Sequence, residues 1–233
     1  MEVHPDSASR FPRRAALITA IACTAVVVVL GLGVATHFGP QLRLDTAVSR
    51  ALYAGDARSA LVNDLLQVLT SPGLTVFRVV VLLPVVVWLV VRRFWWTAAW
   101  VLTAIVLVAP LTTAVKEVVG RVRPNFVNGG ARVESLSFPS GHSSGSATLV
   151  TVVLVLVWPL LRRTGRRVCL ALGIALAVLV GLTRMWLGVH FLSDVLGGWA
   201  LGVAWTLTVA LAFGALPGGR AALPVRPATE VPA

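Results

Sequence analysis

The feature that most constrains this chain is a set of long segments that contain no charged side chain. Four of them, residues 15–36, 94–115, 143–161 and 195–216, lack Asp, Glu, Lys and Arg altogether. An apolar segment of about 18 or more residues is long enough to cross the hydrocarbon core of a bilayer as a helix. Only 12% of the residues are charged, against roughly 25% in soluble domains. The sequence therefore predicts a membrane protein.

Two further segments bring the predicted number of spans to six. Residues 73–91 and 168–187 are apolar except for one arginine each, Arg78 and Arg184. Each is long enough to cross the bilayer if its arginine is accommodated near one end. We therefore predict an all-α fold, a polytopic membrane bundle of six transmembrane helices.

The six spans form one predicted domain, residues 15–216, between polar tails at 1–14 and 217–233. Between spans one and two, residues 44–69 mix apolar and charged side chains at helical intervals, with a break at Gly55. This pattern is typical of an amphipathic helix at the membrane interface. A solvated connector is the alternative interpretation of the same segment.

The arginines predict the orientation of the chain. Eleven of the nineteen arginines lie at alternate ends of consecutive spans, and therefore on one side of the membrane: Arg10, Arg13, Arg14, Arg92, Arg93, Arg162, Arg163, Arg166, Arg167, Arg220 and Arg226. Positive residues in short loops stay on the cytoplasmic side. We expect a multi-pass protein of the cell membrane with both tails in the cytoplasm and outer loops at 37–72, 116–142 and 184–194. The net charge of +11 then follows from topology and indicates no nucleic-acid partner.

The second predicted outer loop begins with two cations. Lys116, the only lysine in the chain, precedes Arg123 by seven residues, which on a continuous helix places both side chains on one face. Pro124 disfavours helix at the residue before it, so we expect the helix to end at Arg123. The two cations can then reach one anion. A single cation that reaches the interface along its apolar stem is the alternative.

The same loop ends in the segment Ser140-Gly141-His142, directly before the apolar run at 143–161. This order predicts a helix that begins here. Unpaired backbone N–H groups and the positive end of the helix dipole suit a phosphate at that position, and Gly141 lets an oxygen approach the backbone closely. A simple helix cap by Ser140 explains the serine and glycine equally well, but it does not explain His142.

The third outer loop contains Arg184, His190 and Asp194. The last two are four residues apart, a spacing that brings side chains together on one helical face. The carboxylate can then hold the imidazole ring in one tautomer and leave its other nitrogen free to attack phosphorus. Arg184 does not share that face, so we expect a helix break near Gly188. A surface ion pair between His190 and Asp194 is the alternative.

Together, the three polar segments resemble the signature segments of the type 2 phosphatidic acid phosphatase superfamily. They are Lys116 with Arg123-Pro124, then Pro139-Ser140-Gly141-His142, then Arg184 with His190 and Asp194. That superfamily includes membrane lipid phosphate phosphatases and the vanadium haloperoxidases. One departure concerns the third segment, which usually opens with Ser-Arg and here opens with Thr183-Arg184.

The resemblance implies a membrane phosphatase that uses neither a metal ion nor another cofactor. It assigns His190 as the nucleophile that forms a phosphohistidine, His142 as the general acid and base, and Asp194 as the residue that orients His190. It assigns the binding of the substrate phosphate to five residues: Lys116, Arg123, Ser140, Gly141 and Arg184. The implied substrate is a lipid phosphate or diphosphate, such as phosphatidate, phosphatidylglycerol phosphate or polyprenyl diphosphate.

Three other functions remain open from the sequence. A catalytically inactive relative would bind lipid phosphate without hydrolysing it. An anion transporter would need ionisable residues deep inside its spans, whereas these spans consist almost wholly of Val, Leu, Ala and Trp. Haloperoxidase activity is disfavoured because the haloperoxidases of this superfamily are soluble.

Overall fold

A computed structural model describes residues 5–223 of the chain, and it describes side chains from Arg13 onward. Within this part the chain folds into α-helices joined by turns and loops. Their bounds are α1 Pro5–Ala35, α2 Gly39–Leu52, α3 Ala60–Thr70, α4 Thr75–Val91, α5 Trp95–Val119, α6 Gly141–Val157, α7 Arg163–Trp186 and α8 Leu192–Phe213. Short 3₁₀ turns occur at Ser71–Gly73, Gly130–Arg132 and Trp158–Leu160.

Five helices qualify as membrane spans, and the number is six if one bent pair of helices is counted as a single span. Helices α1, α5, α6, α7 and α8 are each long and apolar enough to cross a membrane. Helix α4 has only 17 residues, but it follows α3 across a bend of 50°, and the two helices together qualify as a sixth span. Pro72 lies in the 3₁₀ turn at the bend, where it interrupts the backbone hydrogen bonding of a continuous helix. The predicted all-α bundle is confirmed.

The segment predicted as one amphipathic helix over 44–69 forms two helices. The chain leaves α2 at Leu52 and passes through Gly55, whose φ of +87° suits glycine. Helix α3 then exposes the apolar side chains of Leu61, Leu65 and Val68 and packs its other face against α7. Gly73, just after α3, packs against the backbone of His142, so this end of α3 lies where α6 begins.

Parts of both predicted tails lie within the described residues. Helix α1 begins at Pro5, within the segment predicted as a polar tail. At the other end, Thr97 Oγ1 donates to Ala221 O at 2.8 Å, which ties the chain after α8 to the start of α5. Residues 224–233 of the predicted tail, with Arg226, and the Arg10 side chain lie outside the described part.

The apolar core occupies the end of the bundle where α4 ends and α5 begins. Leu89, Trp100 and Val152 are fully buried there, in one cluster with side chains of α8. The arginines at 92–93 and 162–167 follow at this same end, because α5 and α7 begin there. The three predicted site segments lie at the opposite end, where α5 and α7 end and α6 and α8 begin.

Helices α6 and α8 form the central contact of the bundle, and it depends on small residues. A Cβ atom on Gly198 would lie 2.6 Å from Ser140 O, so only glycine allows the helices to approach this closely. A Cβ atom on Gly202, one turn further along α8, would lie 2.3 Å from Ser144 O. As a result, Ser140 N donates to Asp194 O at 2.9 Å, and the starts of both helices meet.

Candidate active site

The loop between α5 and α6 begins earlier than predicted. Helix α5 ends at Val119, and Gly120 adopts a left-handed conformation with φ of +68°. The prediction that the helix extends to Arg123 was wrong because Gly120 ends it before Pro124 can. Lys116 remains in the last turn, and its Nζ donates to Leu136 O and, at 3.0 Å, to Ser137 O.

His190 lies in the connection between α7 and α8, where the predicted break occurs. Helix α7 ends at Trp186, and Gly188 turns the chain with φ of +68°. His190 is 2% exposed, and its Nδ1 lies 3.4 Å from Asp194 Oδ2. The predicted contact is confirmed, but its explanation was wrong. Asp194 lies in the first turn of α8 and accepts from Phe191 N at 2.8 Å, whereas His190 precedes the helix.

The partners of the His190 ring define its protonation. Arg123 Nη1 lies 3.0 Å from Nε2, and because a guanidinium can only donate, Nε2 must accept. Nδ1 then carries the proton and faces the Asp194 carboxylate. Burial lowers the pKa of His190 to about 3, with the hydrogen bond to Asp194 acting in the opposite direction. The ring is therefore neutral at pH 7.

Asp194 is held by residues that the sequence analysis did not single out. Arg121 Nη1 donates to Asp194 Oδ1 at 2.7 Å, and Arg121 Nη2 donates to Asp45 Oδ2 at 2.6 Å. Asp45, on α2, also accepts from Ser193 N at 2.9 Å and from Ser193 Oγ at 2.6 Å. All four residues are buried. Asp45, Arg121, Ser193 and Asp194 are termed the carboxylate network below.

Ser137 connects this network to the cations. Its Oγ donates to Asp194 Oδ2, its N–H donates to Arg121 O at 2.7 Å, and its carbonyl accepts from Lys116. Because Ser137 is fully buried, it fixes the loop before α6 against the start of α8.

The three predicted phosphate-binding cations, Lys116, Arg123 and Arg184, are termed the open cations. Arg123 donates to Ser135 O and Val189 O, both at 2.7 Å. Arg184 has one contact, from Nη1 to Thr70 Oγ1 at 3.5 Å, and its buried Nε has no partner within the described residues. No carboxylate of the described side chains forms an ion pair with any of the three.

The Ser140-Gly141-His142 segment starts α6 as predicted. Ser140 is the N-cap, and its Oγ accepts from Ser143 N at 3.4 Å. A Cβ atom on Gly141 would meet no other atom within 4 Å, so the space in front of this helix start is free. His142 is half-buried, and Gly73 packs against its backbone.

Comparison with known proteins identifies the family. The profile of the PAP2 superfamily matches residues 97–216, a range that contains every predicted site residue. The chain belongs to the PAP2 superfamily. The predicted resemblance is thereby confirmed.

The named relatives of this PAP2 chain are phosphatases and a diphosphatase. Phosphatidylglycerophosphatase B of Bacillus subtilis is 35% identical over 179 residues, which cover 74% of this chain and 84% of the relative. Undecaprenyl-diphosphatase of Sulfolobus acidocaldarius is 33% identical over 151 residues, 58% of this chain and 68% of the relative. The crystal structure of a transmembrane PAP2-type phosphatidylglycerolphosphate phosphatase from Bacillus subtilis superposes with a TM-score of 0.66 at 30% identity, covering 82% of this chain and 94% of that one.

The substitution of threonine for serine in the third segment of this PAP2 chain has a structural account. Thr183 is fully buried, and its Oγ1 donates to Val180 O at 2.6 Å within α7. Serine can form the same bond, so the extra methyl group only adds packing.

Asp45 and Arg121 of this PAP2 chain gave weak signals in the sequence. Asp45 lies in the segment predicted to be amphipathic, where a carboxylate is expected to face water. Arg121 is one of nineteen arginines and resembles the other loop cations. The sequence feature that could have identified Asp45 is the small number of acidic residues. The chain has only nine, and a carboxylate near a membrane edge needs a partner.

Proposed function

We propose that this PAP2 protein is an integral-membrane phosphatase that hydrolyses a phosphomonoester or diphosphate of a lipid through a phosphohistidine. The observation that carries the proposal is the position of the His190 ring, whose Nδ1 faces Asp194 and whose Nε2 lies beside Arg123. The names of the relatives, which act on phosphatidylglycerophosphate and undecaprenyl diphosphate, support a lipid substrate. Because the site lies at one end of apolar spans, the acyl or prenyl tail of a lipid can stay in the bilayer while its phosphate reaches the site.

In the first step His190 Nε2 attacks phosphorus in line with the leaving oxygen. The bond from phosphorus to the leaving oxygen breaks as the P–N bond forms, and His142 gives a proton to that oxygen. Burial and the charge of Arg184 disfavour a charged His142 in the free site, so His142 takes up this proton together with the phosphate group, whose negative charge favours the protonated ring. The Asp194 carboxylate stabilises the positive charge that develops on the His190 ring. The lipid leaves with a hydroxyl group, or as a lipid monophosphate when the substrate is a diphosphate.

In the second step water attacks the phosphohistidine. His142, now neutral, takes a proton from this water as the P–N bond breaks. Inorganic phosphate leaves, and His190 returns to its neutral form. His142 ends the cycle protonated, so that protons balance over the two steps.

The open cations neutralise the non-bridging oxygens, which is the main catalytic task in phosphoryl transfer. The buried Nε of Arg184 has no hydrogen-bond partner among the described residues. Arg123 occupies His190 Nε2, and its transfer to a phosphate oxygen releases the lone pair that attacks. The Ser140 hydroxyl and the backbone N–H groups at Gly141 complete the phosphate site at the start of α6.

The orientation is part of the proposal. Both termini lie in the cytoplasm, and the site faces outward. The support is the arginines at 92–93 and 162–167, at the end of the bundle opposite the site, because loops rich in arginine are retained on the cytoplasmic side.

The test is phosphate release by detergent-purified protein from a panel of lipid phosphates and diphosphates. We expect turnover in the presence of chelator and none in His190→Ala. In addition, substrate carrying labelled phosphate should leave an acid-labile label on the wild-type protein and none on that variant. Appreciable turnover by His190→Ala would falsify the nucleophilic role. Lipid binding without any turnover by the wild-type protein would favour the inactive, lipid-binding alternative.

A further inference from the structure

The proposed reaction leaves most of one cavity unused. This cavity has a volume of about 530 Å³, within the range of about 300–1,000 Å³ that is typical of small-ligand pockets. Arg184 and Val189 form one wall, at the catalytic centre. Asn63 and Gln67 of α3 form another, and Arg132 of the loop before α6 lies on a third.

The charge of the lining is one-sided. Three arginines, Arg58, Arg132 and Arg184, line the cavity, and no Asp or Glu does. The Arg132 side chain is exposed and forms no hydrogen bond or ion pair with the described residues. Arg132 is therefore available to an anion, whereas Arg184 already takes part in the proposed phosphate site.

The wall around Arg132 is fixed by its neighbours. Arg58 Nη1 donates to Gly55 O at 2.9 Å, and Arg58 Nη2 donates to Asn128 O. The Tyr53 ring stacks on the Phe126 ring with centroids 4.0 Å apart. These contacts join the α2–α3 connection to the loop before α6, so the cavity exists before a ligand arrives.

Asp56, on the connection between α2 and α3, already accepts hydrogen bonds from neighbouring residues. Asp56 Oδ1 accepts from Asn128 N at 2.8 Å and from the Tyr53 hydroxyl. The Tyr53 bond first, then the Asn128 bond and the charges of Arg58 and Arg132, lower the pKa of Asp56, which therefore stays ionised at pH 7. Asp56 does not line the cavity.

We propose that this cavity is a subsite for a second anionic group on the substrate, with Arg132 as its cation and the Asn63 and Gln67 amides as its neutral donors. The proposal rests on the proposed function, since it places the phosphate that is removed next to Arg184. The preferred lipid then carries two phosphate groups. The second can be the phosphodiester of a phosphoglycerol head group or the inner phosphate of a diphosphate. A lipid with one phosphate leaves Arg132 without a partner.

The test compares Arg132→Gln with Arg43→Gln, which removes an exposed arginine of α2 that does not line the cavity. The substrates are phosphatidate, phosphatidylglycerol phosphate and a polyprenyl diphosphate in mixed micelles. For each we measure kcat and KM, with KM as surface mole fraction. Loss of a charged hydrogen bond that is equal in ground and transition states should raise KM roughly tenfold in Arg132→Gln without changing kcat. This effect is expected for lipids with two phosphates and not for phosphatidate.

The outcomes separate the two proposals. A KM increase with only one of the two-phosphate lipids supports the subsite and identifies its source, diphosphate or phosphoglycerol. Equal KM changes with all three lipids, or changes no larger than in Arg43→Gln, overturn the subsite while leaving the phosphatase in place. Absence of phosphate release from every lipid by the wild-type protein overturns the proposed function instead. If phosphatidate is not hydrolysed at all, the subsite is tested by comparing the KM of Arg132→Gln with that of Arg43→Gln for the two lipids that carry two phosphates.

Discussion

The carboxylate network and the open cations lie side by side at one end of the bundle, and they treat buried charge in opposite ways. In the network, Arg121 lies 2.6 and 2.7 Å from the carboxylates of Asp45 and Asp194. Among the open cations, Arg184 is also buried, but its contact is with the neutral Thr70 hydroxyl. A paired arginine holds structure in place, whereas an unpaired one retains its charge for an anion from outside.

The carboxylate network positions His190. A neutral ring beside cations needs a fixed carboxylate, and a fixed carboxylate in an apolar bundle needs its own cation. Arg121 provides that cation, and Asp45 on α2 holds Arg121 from the other side. In the proposed reaction, α2 therefore positions His190 through Arg121 and Asp194 and supplies no residue that contacts the substrate.

The largest expected effect is on stability, in Arg121→Ala. This change leaves Asp45 and Asp194, which are 2% and 0% exposed, without their cation, and breaking a buried pair in this way costs about 3–5 kcal/mol. Thermal unfolding in detergent, compared with Arg50→Ala on the exposed face of α2, measures the loss. If Arg121→Ala unfolds no earlier than Arg50→Ala, the network does not hold the site together.

Arg184→Gln should show the opposite pattern. Removal of one preorganised donor to a developing charge lowers kcat about 10²- to 10³-fold. Stability should change by less than about 1 kcal/mol, because the side chain has a single long contact with a neutral group. Phosphate release and thermal unfolding are measured on the same preparation. A stability loss as large as that of Arg121→Ala would erase the distinction between the two regions.

The pH dependence of stability tests the neutral state of His190. Because its pKa in the folded protein is about 3, below the ordinary value of 6.5, the unfolded chain binds more protons between these values. Stability should therefore fall as the pH drops from 7 to 5, by about 2 kcal/mol from this group. Subtracting the pH 7 to 5 change of His190→Gln from that of the wild-type protein isolates this contribution. Equal changes in both proteins would mean that His190 is not held neutral.

The smallest effect is expected in Thr183→Ser. The hydroxyl keeps its bond to Val180 O, and the change removes one methyl group next to Arg184. We expect kcat/KM within about twofold and stability within about 1 kcal/mol of the unchanged protein. A larger loss of kcat/KM would show that the methyl group positions Arg184.

Local signals predicted much of the site. The apolar runs identified the spans, Gly188 marked the break between α7 and α8, and Ser140 marked the start of α6. Each signal depends on a few neighbouring residues, which is why it can be read without coordinates. The position of the α5 end was missed because Gly120 was given less weight than Pro124.

The sequence by itself determined that the chain forms apolar helices and that its three polar segments meet at one end of the bundle, since alternating spans bring alternate loops to the same side. Only the tertiary structure decided which cations are paired. Asp45 and Arg121 are 76 residues apart, and nothing near either residue in sequence indicates the contact. Helix ends and burial follow from local residue chemistry, whereas the partner of a buried charge depends on how distant helices pack.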